Sequence, residues 1–136
     1  MVFSKAELAY MSSERLGRLG TLTPGGTLQN SPVGFSVNPE TGTIDIGGWN
    51  MASSAKFHNV AATGEVAFVV DDIASVDPWV VRCLEVRGRA EALRAQPSAA
   101  QPGQNDDIIR VHPRRIISWG LGPDGNQGSK RNVDPV

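Results

Sequence analysis

Apolar residues recur along this chain with two periods, and the switches between them lay out its elements. Ser4-Lys5-Ala6-Glu7 has the S-x-x-E form of a capping box, with Leu8, Tyr10 and Met11 following at helical spacing. This predicts a short amphipathic helix that ends before Arg15. Residues 16–22 and 28–37 read as strands joined by the turn Thr23-Pro24-Gly25-Gly26. Pro32 removes a ladder donor from the second strand, which predicts a bulge or a sheet edge there. Residues 43–47 alternate as a third strand. A helix follows from Ser53, with Phe57, Val60 and Ala61 toward the core and a glycine cap at Gly64. Residues 65–71 predict a buried strand, 72–78 a loop, and 79–93 the longest strand. In that long strand Leu84, Val86, Gly88, Ala90 and Ala92 form an apolar or small face, while Glu85, Arg87, Arg89 and Glu91 form a wet one. Residues 94–104 predict a loop and 107–111 a strand. His112-Pro113-Arg114-Arg115 then breaks the pattern, and 116–121 form the last strand.

The 15 glycines and 9 prolines in 136 residues suit a β protein with many turns. One domain with a modest core is expected, at residues 1–121, followed by a Gly- and Pro-rich tail at 122–136. Net charge −1 argues against general nucleic-acid binding. No apolar run is long enough to span a bilayer, and the first residues lack the basic n-region of a signal peptide. The single cysteine, Cys83, permits no internal disulfide or cysteine metal cluster. A cytoplasmic protein without a metal site or a membrane partner is the expectation.

The stretch 47–60 carries the candidate chemistry. It runs from Gly47 through Trp49, Asn50, Ser53 and Ser54 to Lys56 and Val60. Amides at a helix start are unpaired and the helix dipole there is positive. Two hydroxyls and one ammonium in the first turn complete an anion site of the kind that takes phosphate. A capped surface helix with a solvated lysine is the alternative for an isolated S-x-x-K. His58 and His112 sit in no acid–base motif, and no H-E-x-x-H, G-x-S-x-G or phosphate loop is present.

Beside this order of elements stand Leu28-Gln29-Asn30-Ser31-Pro32-Val33-Gly34-Phe35, Ala55-Lys56-Phe57-His58-Asn59-Val60, Val86-Arg87-Gly88-Arg89-Ala90 and Arg114-Arg115-Ile116-Ile117-Ser118-Trp119-Gly120. Together they resemble the pyridoxamine-5′-phosphate-oxidase-like split β-barrel proteins over residues 5–121. The branch that looks most similar is the actinobacterial flavin/deazaflavin-dependent one, which binds coenzyme F420. The resemblance implies a mainly β, flavin-mononucleotide-binding-like split barrel and a homodimer with cofactor sites at the subunit interface. It places Lys56 on the cofactor phosphate, and Asn30, Ser31, Pro32 and Val33 beside the tricyclic ring. Trp79 is placed at the partner's site. With Trp49, Asn50, Ser53 and Ser54, these form the expected cofactor-binding set; no catalytic residue is assigned.

Ser53 and Ser54 precede Lys56 where many flavin-mononucleotide binders carry Arg-x-x-x-Lys, which favours the deazaflavin. The basic C-terminal cluster of vitamin B6 oxidases is absent. The expected activity is hydride transfer between reduced coenzyme F420 and a conjugated small-molecule acceptor. An FMN-dependent oxidoreductase and a non-catalytic cofactor carrier are the alternatives. The cationic tail, with Lys130 and Arg131, is expected to lie on the partner subunit near the cofactor's acidic end.

Overall fold

The computed structural model describes residues 2–98, 101–122 and 128–133. The elements are α1 (Lys5–Ser13), β1 (Leu16–Leu22), β2 (Leu28–Gly34), β3 (Ser36–Asn38), β4 (Thr43–Ile46), a 3₁₀ turn (Met51–Ser53) and α2 (Ala55–Thr63). They continue with β5 (Glu65–Ser75), β6 (Val80–Pro97), β7 (Asn105–Trp119) and β8 (Gly128–Asn132). The protein is mainly β, an antiparallel sheet ordered β2-β1-β5-β6-β7-β4-β3, with β8 beside the second half of β7.

Closure follows from that order. β2 and β3 lie at opposite ends of the sheet, yet Phe35 alone separates them in sequence. The sheet must therefore curl until its edges meet, which makes a split β-barrel. The expected single strand over 28–37 breaks here, because Phe35 packs edge-on against Phe68 with ring centroids 5.1 Å apart. Pro32 sits on β2, an edge strand, as its missing donor requires.

The inner face holds the core. Leu19, Phe68, Val70, Leu84, Val86, Ile109, Val111 and Ile116 are buried there, with Ile44 and Ile46 from β4. β6 keeps the predicted alternation, and Arg87–Glu85 and Arg89–Glu65 pair on its wet face. The expected break at 112–115 is instead a bulge in one continuous strand: Arg87 faces Arg115 and Gly88 faces Pro113, leaving Arg114 as the extra residue. Gly88 permits it, since a Cβ there would stand 2.1 Å from the His112 carbonyl oxygen. Long-range pairing also extends β5 through Ser75 and β6 through Pro97, into segments whose polar composition reads as loop.

The capping box forms as predicted, with Ser4 N donating to Glu7 Oε1 at 2.7 Å and Glu7 N donating to Ser4 Oγ at 3.1 Å. Gly128–Asn132 is a strand on the chain's own β7. Arg131 donates to both Glu7 carboxylate oxygens, at 2.6 and 2.7 Å, and to the Val2 carbonyl at 2.7 Å. That guanidinium is thus engaged within the protomer, fastening β8 to the N-terminal helix. The rest of the tail, residues 123–127 and 134–136, lies outside the described residues.

Candidate functional site

α2 starts at Ser54, one residue later than the sequence suggested, because Met51–Ser53 tighten into a 3₁₀ turn. Ser54 Oγ accepts from Phe57 N at 3.3 Å and donates to Met51 O at 2.6 Å. Ser53 Oγ donates to Asn50 O at 3.2 Å. Both hydroxyl protons are thus directed at backbone carbonyls, and the donors that remain at this end are the amides of Ala55 and Lys56 and the Lys56 ammonium. Lys56 is half-buried and forms no ion pair among the described residues.

The faces of α2 decide what Lys56 meets. Phe57 and Val60 are buried in the core, as predicted, but Ala61 is exposed and Asn59 is buried instead. Asn59 Nδ2 donates to Thr21 Oγ1 at 3.1 Å and to Gln29 Oε1 at 2.8 Å. Thr63 Oγ1 donates to the Leu22 carbonyl at 2.9 Å, four residues further along the helix. Lys56 lies one turn before Asn59, so it shares this flank, which faces β1 and β2. Stepping back from Asn59 to Lys56 moves about 4.5 Å along the helix axis. Stepping from Gln29 to Ser31 moves about 6.6 Å along β2 in the same direction. By these rises Ser31, on the inner side of β2, falls about level with Lys56. Its Oγ is buried and has no hydrogen-bond partner. An unpaired buried hydroxyl on the strand that α2 reaches through Asn59, a lysine and a helix start are together donors suited to a phosphate or another anion.

The other expected residues divide. Val33 is buried in the core. Asn30 and Pro32 point to the outer face of the sheet, away from Ser31. Trp49 is 95% exposed just before the turn that leads into α2. Asn50 takes the left-handed conformation there, φ 53°. Trp79 is 64% exposed at the tip of the β5–β6 hairpin. The hairpin carries that tip about 20 Å along the strands beyond the level of Lys56, so one protomer does not join the two. Asn59 and Gln29 were missed in the sequence, although a polar Asn59 directly before the core residue Val60 was the available sign. His58, two residues after Lys56, turns to the opposite flank, where its Nε2 lies 3.0 Å from Ala52 O.

A concavity of about 740 Å³ lies elsewhere, on the outer face of β1, β2, β5 and β6. Gly20 and Ala67 form its floor, and Leu28, Val69 and Ile117 its apolar walls. Its charges are satisfied locally, Arg18 pairing with Asp71 and Glu85 with Arg87. Burial, then the carboxylates Asp71 and Glu85, raises the Cys83 thiol above its usual range, so it is not a thiolate nucleophile. This open depression lacks the donor set found at α2, and its residues belong to a wider exposed apolar face with Leu16 and Trp119.

No family model matches the chain. The 5a,11a-dehydrotetracycline/5a,11a-dehydrooxytetracycline reductase of Streptomyces rimosus is 43% identical over 128 residues, covering 94% of this chain and 90% of the relative. Among solved structures, an FAD binding protein from Mycobacterium smegmatis superposes with a TM-score of 0.63 at 21% identity, covering 96% of this chain and 98% of that one. A pyridoxamine 5′-phosphate oxidase-related, FMN binding protein from Nostoc punctiforme gives 0.59 at 13% identity, covering 94% and 93%.

Proposed function

Because this chain belongs to the pyridoxamine-5′-phosphate-oxidase-like split β-barrel family, and to the oxidoreductase lineage of the Streptomyces reductase, we propose that it is a deazaflavin-dependent reductase of a conjugated polycyclic small molecule. The observation that carries this reading is the buried, unpartnered Ser31 hydroxyl on β2, the strand that α2 reaches through the Asn59–Gln29 bond, with Lys56 free of any ion pair among the described residues on the same helix. Coenzyme F420 supplies the hydride when bound, so the protein needs no acid–base motif of its own. Lys56 and the first-turn amides hold the cofactor phosphate, and Ser31 donates a hydrogen bond beside it. β2, kept free of a second strand neighbour at its edge, offers the surface along which the ring lies. Trp49, exposed next to this site, stacks on a planar acceptor.

The relative's name describes a reductase of dehydrotetracyclines, which are polycyclic and conjugated; an acceptor of that class is proposed here. The test is turnover. Reduced coenzyme F420 mixed with a polycyclic enone should lose its reduced spectrum only when the protein is present. Binding without turnover across enones and quinones would replace the enzyme by a carrier. Reduced FMN outperforming the deazaflavin would favour a second reading, an FMN-dependent oxidoreductase, which the FMN binding structural relative supports.

We propose further that the protein is a homodimer through the outer sheet face. Leu16, Leu28 and Trp119 are exposed on it, while its Arg18, Arg87 and Arg89 are paired with carboxylates of the same chain. An apolar face with internally neutralised charge suits a second copy. A partner's hairpin would then bring Trp79 to a site that its own protomer cannot reach.

A further inference from the structure

α2 and β2 carry the two halves of the anion site, yet little else connects them. β2 is an edge strand with β1 on one side, and Pro32 gives it no ladder donor at that point. Among the described residues, a single hydrogen bond joins α2 directly to β2: Asn59 Nδ2 to Gln29 Oε1, 2.8 Å. The same amide group spends its second hydrogen on Thr21 Oγ1 of β1. Asn59 is 7% exposed and Thr21 2%, so both groups are dry enough for these bonds to hold their geometry. Thr63 adds a second tether to β1 one turn later, which fixes the direction of the helix but does not reach β2.

We infer that Asn59 is the positioning residue of the anion site, its bond to Gln29 setting the separation between Lys56 and Ser31. Asn59 and Lys56 are one helical turn apart on the same flank. Gln29 and Ser31 are neighbours on the same side of one strand. A shift of β2 against α2 changes the Lys56–Ser31 distance directly, and the amide bridge opposes that shift. Asn59 itself need not touch the ligand. This role rests on the reading of the site as a phosphate cradle.

The test is a cycle of four proteins: wild type, Gln29→Leu, Lys56→Ala and the double variant. Gln29 is only half-buried, so its replacement should leave the barrel folded, which the thermal midpoint records. Coenzyme F420 is titrated into each. Gln29→Leu should weaken binding about tenfold in the wild-type background, and less than about threefold once Lys56 is gone. A general loss of structure would cost the same factor in both backgrounds. Amide hydrogen exchange across residues 28–34, measured on the protein alone, should be faster in Gln29→Leu. An equal tenfold loss in both backgrounds, or an unchanged affinity in Gln29→Leu, overturns the positioning role alone. A wild type that binds neither coenzyme F420 nor FMN overturns the phosphate reading, and the positioning role with it.

Discussion

Single residues here act through what they are paired with or left without. Lys56 has no carboxylate partner among the described residues, so its charge is available to a ligand. Lys56→Ala should cost about 1.5–3 kcal/mol of cofactor affinity, the range of a charge-assisted hydrogen bond, with the thermal midpoint almost unchanged. Calorimetric titration beside a melting curve checks both halves of that expectation. Glu7 is the opposite case. Its burial alone would raise its pKa, but the bonds from Arg131 and Ser4 and the Arg131 charge outweigh burial and hold it below the ordinary value. A depressed folded-state pKa gives stability that is fully present above the unfolded value, near about 4.3, and is lost as pH falls through the folded one. Asp72 is lowered as well, first by its hydrogen bonds from Arg82. Glu7→Gln should therefore lower stability at neutral pH and flatten its decline below about pH 4. An acid limb identical to the wild type's would show that the Glu7–Arg131 pair adds nothing.

At the scale of elements, local chemistry was legible and long-range pairing was not. The capping box, the Gly64 cap, the strand alternation of Leu84 to Ala90 and the edge position of Pro32 follow from side chains and their immediate neighbours. The extensions of β5 and β6 depend on partners far away in sequence, and no local pattern announces them. The bulge at Arg114 was read as a break for the same reason: only Gly88 on the facing strand makes it tolerable. Lys56 was singled out by its motif. The Asn59–Gln29 bond, which joins residues 30 positions apart, leaves no trace in spacing. The strand at Gly128–Asn132, which Arg131 fastens to Glu7, was not legible in the tail's Gly-rich composition. A chain ending at Leu121 should accordingly lose about 2–3 kcal/mol, since the Glu7 carboxylate, 4% exposed, is left without its cation. Denaturant unfolding measures this. A truncated protein as stable as the full chain would make β8 an ornament of the sheet.

For the whole molecule, curling of the sheet turns one face into the core and leaves the other facing outward. The outward face keeps Leu16, Leu28 and Trp119 in solvent in a single protomer. A dimer is therefore expected at low micromolar concentration by light scattering, and high salt should not dissolve it, because the contacts are apolar. A monomer under these conditions would also remove Trp79 from the site. With 43% identity to a reductase over nearly the whole chain, the proposed reading turns at this scale on which cofactor binds and whether Lys56 holds it. The most direct measurement is the absorbance spectrum of the protein after mixing with coenzyme F420 or with FMN and desalting. The deazaflavin should stay with the wild-type protein and be lost from Lys56→Ala, while FMN is held more weakly by the wild type. A wild type that emerges colourless from both mixtures, or a Lys56→Ala variant that keeps the deazaflavin as well as the wild type does, would contradict the account.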